Sequence, residues 1–96
     1  MILDFGDQTT EDLFNGINSK AARRVPVSLW PIAVRKLDTL TAAKELRDLQ
    51  SPPGNRLEKL KRSLAGFHSI RINDQFRIIV LWLDGNARDA RIIDYH

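Results

Sequence analysis

The chain has 96 residues, 43% of them hydrophobic, with 15 basic and 12 acidic side chains for a net charge of +3. A sequence of this size and balance is expected to fold as one soluble domain over 1–96, with a core too small for a two-domain cofactor enzyme. Cysteine is absent, which excludes disulfide frameworks, thiol nucleophiles and cysteine-based zinc sites, and two histidines alone make a poor metal site, so neither metal nor cofactor is expected.

The opening MILDFGDQTTEDLF carries acids where a signal peptide needs bases, and no apolar run approaches the roughly 20 residues that span a bilayer. The expectation is a cytoplasmic protein without a membrane partner. Ile2 to Phe5 can form a short strand, and Thr9 or Thr10 can cap a short helix with acids in its first turn, ended by Gly16. A polar, basic connector runs from Ile17 to Val25. Beyond Pro26, Ser28 can cap the main helix, where Leu29, Ile32, Ala33, Leu37 and Leu40 recur at helical spacing. Thr41 can start a further short helix carrying Leu46 and Leu49, so Arg23 to Gln50 reads as a helical hairpin or bent helix. The run Ser51-Pro52-Pro53-Gly54-Asn55 stops it.

The hydrophobic period then changes from helical to alternating. Phe67–Ile72, Phe76–Leu83 and Ala87–Tyr95 read as three strands of an antiparallel meander, joined by Asn73-Asp74-Gln75 and Asp84-Gly85-Asn86. Ile70 and Ile72 share a face with Phe76, Ile78, Val80 and Trp82 only if the first turn has three residues. A slip by one would expose the whole apolar set. The fold class is therefore α+β, with the helices on one face of the sheet.

That register sets Arg71 directly across from Arg77 on the other face. Paired like charges repel, so the arrangement calls for an external anion or nearby acids, unless both side chains simply reach into water. In the second hairpin Ile92 and Ile93 are both apolar, and the register stays open between Asp94 and Tyr95 across from Arg77. Either choice brings the terminus beside Arg77. Charge is also unevenly placed: Asp4, Asp7, Glu11 and Asp12 precede any base, whereas Arg56, Lys59, Lys61, Arg62, Arg71 and Arg77 face only Glu58 and Asp74. A late basic region of this kind sets up a local positive field for a polyanion.

The terminal Asp94-Tyr95-His96 places a carboxylate, a phenol and an imidazole together. Cutting RNA without a metal needs a base for the 2′-hydroxyl, an acid for the departing 5′-oxygen and cations for the phosphate, and His, Tyr and Arg can supply these. Lys59, Lys61 and Arg62 can track a phosphate backbone while His68 or Phe67 stacks on a base. His68 shares the parity of Ile70 and Ile72, and its ordinary alternative is a partly buried, hydrogen-bonded histidine.

The segments LRDLQSPPGNRLEKL, GFHSIRINDQFRI and the terminal DYH, in that order, resemble the HigB branch of the RelE toxin superfamily over nearly the whole chain. The resemblance implies a RelE-like α+β fold and a ribosome-dependent endoribonuclease that cuts mRNA by metal-independent 2′-hydroxyl attack. It implies that Arg77 steadies the phosphate, that Tyr95 and His96 serve the reaction, that Asp94 orients them, and that Lys61 lies on the RNA-facing surface; charge and stacking add Lys59, Arg62, His68 and Arg71 to that surface. The implied partners are the ribosome, mRNA and a helix-turn-helix antitoxin (HigA-like), with operator DNA reached only through the antitoxin. Two departures from the family pattern matter. Arg62-Ser63 stands where relatives have Gly-Asp, and Glu58 where some have histidine, so a catalytically weakened RNA- or ribosome-binding module acting through its antitoxin is the alternative.

Overall fold

The computed structural model describes residues 1–95. Helix α1, Gln8–Phe14, is capped by Asp7, whose Oδ1 accepts the Thr10 N–H at 2.8 Å. The threonines expected to cap it lie inside the helix and make tertiary ties instead. Thr10 Oγ1 accepts the Ile92 N–H at 2.9 Å and Thr9 Oγ1 donates to the Ala21 carbonyl at 2.8 Å. Gly16, at φ 73°, ends the helix in the left-handed region where glycine has no Cβ penalty.

Two 3₁₀ turns, Ala22–Arg24 and Val27–Leu29, lead into helix α2, Trp30–Ala42. No side chain caps α2; Ser28 is spent in the preceding turn, and Pro31 sits in the first helical turn, where its missing N–H costs nothing. Thr41 lies within α2 with a buried, unpartnered hydroxyl, and the expected next helix is a 3₁₀ turn, Leu46–Gln50. That turn is closed by Asp48, whose carboxylate accepts the Lys44 and Glu45 N–H groups at 3.0 Å each. No helix among the described residues is long and apolar enough to cross a membrane.

The sheet has four antiparallel strands in sequential order: β1 Glu58–Lys59, β2 Phe67–Arg71, β3 Phe76–Leu83 and β4 Asn86–Asp94. The meander is as expected, with the two-residue β1 as an addition lying inside the basic run. Ile2 and Phe5 bridge to Ala87 and Ala90 of β4 in parallel, so the N-terminus borders the β4 edge. The first hairpin has the three-residue turn: Ile72 N–H bonds to the Phe76 carbonyl, and Asn73 Oδ1 accepts from Gln75 and Phe76 N–H groups. Arg71 accordingly pairs with Arg77. Ile70, Ile72, Phe76, Ile78 and Val80 pack with Leu37 and Leu40 of α2 in the main core.

The second hairpin resolves differently from either open choice. Asp84 and Gly85, at φ 52° and 77°, form a two-residue left-handed turn that pairs Leu83 with Asn86. A bulge then shifts the register between Ile79 and Leu81, with Asp89 at φ 53°, so Ile93 stands across from Arg77 and Asp94 across from Phe76. The physical reason is parity. Ala87 and Ile92 both face the helical core, which strict alternation forbids at odd separation; one inserted residue reconciles them. Ile93 then joins a second apolar cluster on the far face, built on Leu60, Phe67 and Ile79.

Candidate active site

Arg77 projects from the start of β3 onto that far face and is only 7% exposed. Of the two expected environments for the arginine pair, nearby acids are what the fold supplies. Arg71 donates to Asp74 in the hairpin turn, while the Arg77 Nη2 lies 3.3 Å from Glu58 Oε1. Arg77 Nη1 also donates to Ser69 Oγ at 2.5 Å and to the Arg56 carbonyl at 3.4 Å. A guanidinium removed from water is tolerable only with such acceptors around it. Ser69 is fully buried, and Arg56 adopts φ 45° in the turn that presents its carbonyl.

Two elements bring the remaining groups to Arg77. Pairing of Glu58 with Ser69 puts the half-exposed Glu58 carboxylate on the same face as the guanidinium. After β4, the Tyr95 ring lies over Arg77, with its centre 5.4 Å from the guanidinium carbon. Gln75 fastens this end of the chain: its carbonyl accepts the Tyr95 N–H at 2.6 Å and its side-chain amide donates to Asp94 Oδ2 at 3.1 Å. Glu58, Lys61, Leu64 and Tyr95 border a cleft of about 360 Å³ together with Lys59 and Leu60.

The other expected site residues divide. Lys61 lines the cleft; Arg62, next to it in the chain, is exposed and stands at φ 59°. Lys59 is exposed but pairs with His68 rather than with Ser69. His68 belongs to the helix-covered face with Ile70; its Nδ1 is buried without a partner, and burial, then the Lys59 charge, push its imidazole below the usual value. Asp94 borders a separate cleft of about 430 Å³ on the helix side, with Asp7, Arg24 and Phe76 among its walls. His96 lies outside the described residues. Three participants were not anticipated from sequence: Ser69, the Arg56 carbonyl, and Glu58 as a direct partner of Arg77. Alternation in Phe67-His68-Ser69-Ile70-Arg71 already put Ser69 on the face of the arginines, whereas nothing in the basic run revealed β1.

A carboxylate and a phenol that line a cleft with lysine on its rim, backed by a buried, anchored cation, can receive a phosphate and move a proton next to it. Among the described residues no group of three His, Cys, Asp or Glu side chains is placed to hold a metal ion.

Comparison with known proteins agrees with the resemblance. The sequence model of a family described as RelE-like toxin of type II toxin-antitoxin system HigB matches residues 3–96. Toxin HigB-1 of Vibrio cholerae serotype O1 is 42% identical over 87 residues, covering 91% of this chain and 90% of that protein. An uncharacterized protein of Haemophilus influenzae is 39% identical over 73 residues, covering 76% of this chain and 71% of its own length. A chain of the YoeB-YefM complex from Staphylococcus aureus superimposes with a TM-score of 0.60 at 17% identity, covering all of this chain and 98% of that one. A heterotetrameric YoeB-YefM toxin-antitoxin complex from the same species gives 0.54 at 18% identity with the same coverage. The RelE-like α+β architecture expected from sequence is the one found.

Proposed function

Because the chain belongs to the HigB-like, RelE-like toxins of type II toxin-antitoxin systems, we propose that it is a ribosome-dependent endoribonuclease that halts translation by metal-independent cleavage of mRNA. The observation that supports this most is the environment of Arg77: anchored by Ser69, covered by Tyr95, and paired with a carboxylate that faces a cleft. In the free protein Glu58 occupies the guanidinium edge that a phosphate would take. A scissile phosphodiester entering the cleft exchanges with Glu58 on Arg77, and the released carboxylate accepts the proton of the adjacent 2′-hydroxyl. The 2′-oxygen bonds to phosphorus, the bond to the 5′-oxygen breaks, and His96 donates the proton that the leaving oxygen needs.

Arg77 carries the charge that builds on the phosphate. Tyr95 holds the guanidinium in plane from above, and Asp94, tied to Gln75, fixes the end of β4. Lys59, Lys61, Arg62 and Arg71 hold the RNA backbone; His68, on the helix-covered face, is left out of this contact set. The partners in this reading are the ribosome with its mRNA in the cytoplasm and an antitoxin of helix-turn-helix type, through which alone the complex meets operator DNA. A second reading, a weakened enzyme acting mainly through its antitoxin, has one observation in its favour: Arg62 carries a side chain at φ 59°.

The test is single-turnover cleavage of mRNA on translating ribosomes by purified protein, with His96→Ala alongside. Cleavage in the presence of EDTA, slowed about 10²-fold or more by His96→Ala with ribosome binding intact, is the expected result. No cleavage by the parent protein at saturating ribosome rejects the enzymatic reading in favour of the second one.

A further inference from the structure

A second cluster of cations lies around the end of β2, outside the cleft. Lys36 of α2 donates from its Nζ to Asn55 Oδ1. Asn55 is fully buried and held in one orientation by its own amide, which donates to the Leu49 and Ser51 carbonyls at 3.1 and 3.3 Å. The ammonium is thus a positioned cation, set by a buried residue, rather than a lysine loose in solvent. Its charged neighbours are Arg35 and Arg71, and these, after burial itself, push its pKa down. Arg56 and Arg71 share the field of one carboxylate, the exposed Asp74. Among the described residues no carboxylate lies within ion-pair distance of Arg35, Lys36 or Arg56.

Crowding cations with a single exposed counter-charge costs folding free energy that a polyanion recovers on binding. The patch is also continuous with the catalytic face. Arg71 pairs directly with Arg77, and the Arg56 carbonyl is bonded to it. An acidic protein segment would satisfy the charge, but a phosphodiester chain also accounts for the continuity, since backbone running on from a phosphate at Arg77 passes the end of β2, where Arg71 and Arg56 lie.

We propose that Arg35, Lys36 and Arg56, with Arg71, form a second phosphate station that binds the RNA backbone beyond the scissile phosphate. The inference rests on the ribonuclease reading for its ligand, and it names the phosphodiester backbone, from mRNA or ribosomal RNA.

The experiment compares the parent with Arg35→Gln/Lys36→Gln, and with Arg35→Gln alone as a variant that touches no buried group. Binding is measured over a salt series to two probes: a 2′-O-methyl single-stranded oligonucleotide, which 2′-hydroxyl attack cannot cleave, and small ribosomal subunits without mRNA. For each phosphate contact removed, the slope of log affinity against log salt should fall by about 0.7 for a single strand, with affinity several-fold weaker at low salt. Cleavage at saturating ribosome should be unchanged. An effect confined to the oligonucleotide assigns the station to mRNA, and one confined to the subunits assigns it to ribosomal RNA. Unchanged affinity and slope for both probes overturn the proposal, including where antitoxin binding weakens instead. Loss of RNA affinity in a protein that never cleaves would remove the enzymatic reading and leave the station standing.

Discussion

Glu58 and Arg77 form an ion pair of 3.3 Å between a half-exposed carboxylate and a guanidinium that is almost entirely buried. The two residues are 19 positions apart and meet only because β1 and β3 flank β2. In the proposed mechanism the pair keeps the resting site nearly neutral at the point where the phosphate would bind. Replacing Glu58 by glutamine therefore separates two effects. Glu58→Gln should tighten binding of the uncleavable oligonucleotide, because the anion no longer competes with a carboxylate, and slow single-turnover cleavage by about 10² or more, because the proton acceptor is gone. Equal cleavage rates in parent and variant would take Glu58 out of the reaction.

Ser69 is fully buried, and its hydroxyl holds Arg77. Ser69→Ala should lose about 1.5–3 kcal/mol, the scale of a hydrogen bond to a charged group. For a domain of this size that is a drop of about 6–24 °C in Tm, read by thermal unfolding. Cleavage should fall with it, about tenfold at saturating ribosome, since a guanidinium displaced by a fraction of an ångström stabilises the phosphate less. Arg77→Lys, which keeps the charge but not the fork geometry, should fold and cleave at least 10²-fold more slowly.

Arg62 has a φ of 59°, a region that costs an L-residue about 1–2 kcal/mol and glycine almost nothing. Arg62→Gly should raise stability by about 1 kcal/mol, after part of the gain is offset by the greater freedom of glycine in the unfolded chain. Combined with Ser63→Asp it should also increase growth arrest on induction in a sensitive bacterial host. Thermal unfolding reads the first effect; growth at matched protein levels reads the second. A lower Tm for Arg62→Gly would show that the arginine side chain stabilises the turn more than the backbone strains it.

His68 has a folded-state pKa below its ordinary value, so the unfolded chain takes up its proton first as pH falls. Stability should therefore decline from neutral pH as the ordinary imidazole value of 6.5 is crossed, until the lower folded value is reached. The shifted carboxylates, Asp48, Asp74 and Asp89, start from 3.8 and move lower, which places their titration outside this window. His68→Phe should flatten the profile between about pH 7 and 5 in urea melts, since it removes the titrating group. A profile as steep as the parent's would place the acid sensitivity elsewhere.

The main architecture was legible because it follows from periodicity. Alternation through Phe67–Leu83 allowed one register that buried Ile70, Ile72, Phe76, Ile78 and Val80 together, and that register dictated the Arg71 and Arg77 pairing. The apolar spacing of Leu37 and Leu40 likewise identified α2 and its buried stripe. These are local rules, applied to residues whose burial is decided by the period of the element they sit in. The tertiary structure decided the rest. The bulge at Asp89 depends on Ala87 and Ile92 both meeting the helices, a demand that no window of β4 reveals. β1 exists because two residues of a basic run find a free edge on β2, and Glu58 reaches Arg77 only through it. A strand that short has no period of its own. Its pairing energy comes entirely from the neighbour it meets, which is why the carboxylate beside Arg77 was visible in the fold and silent in the sequence.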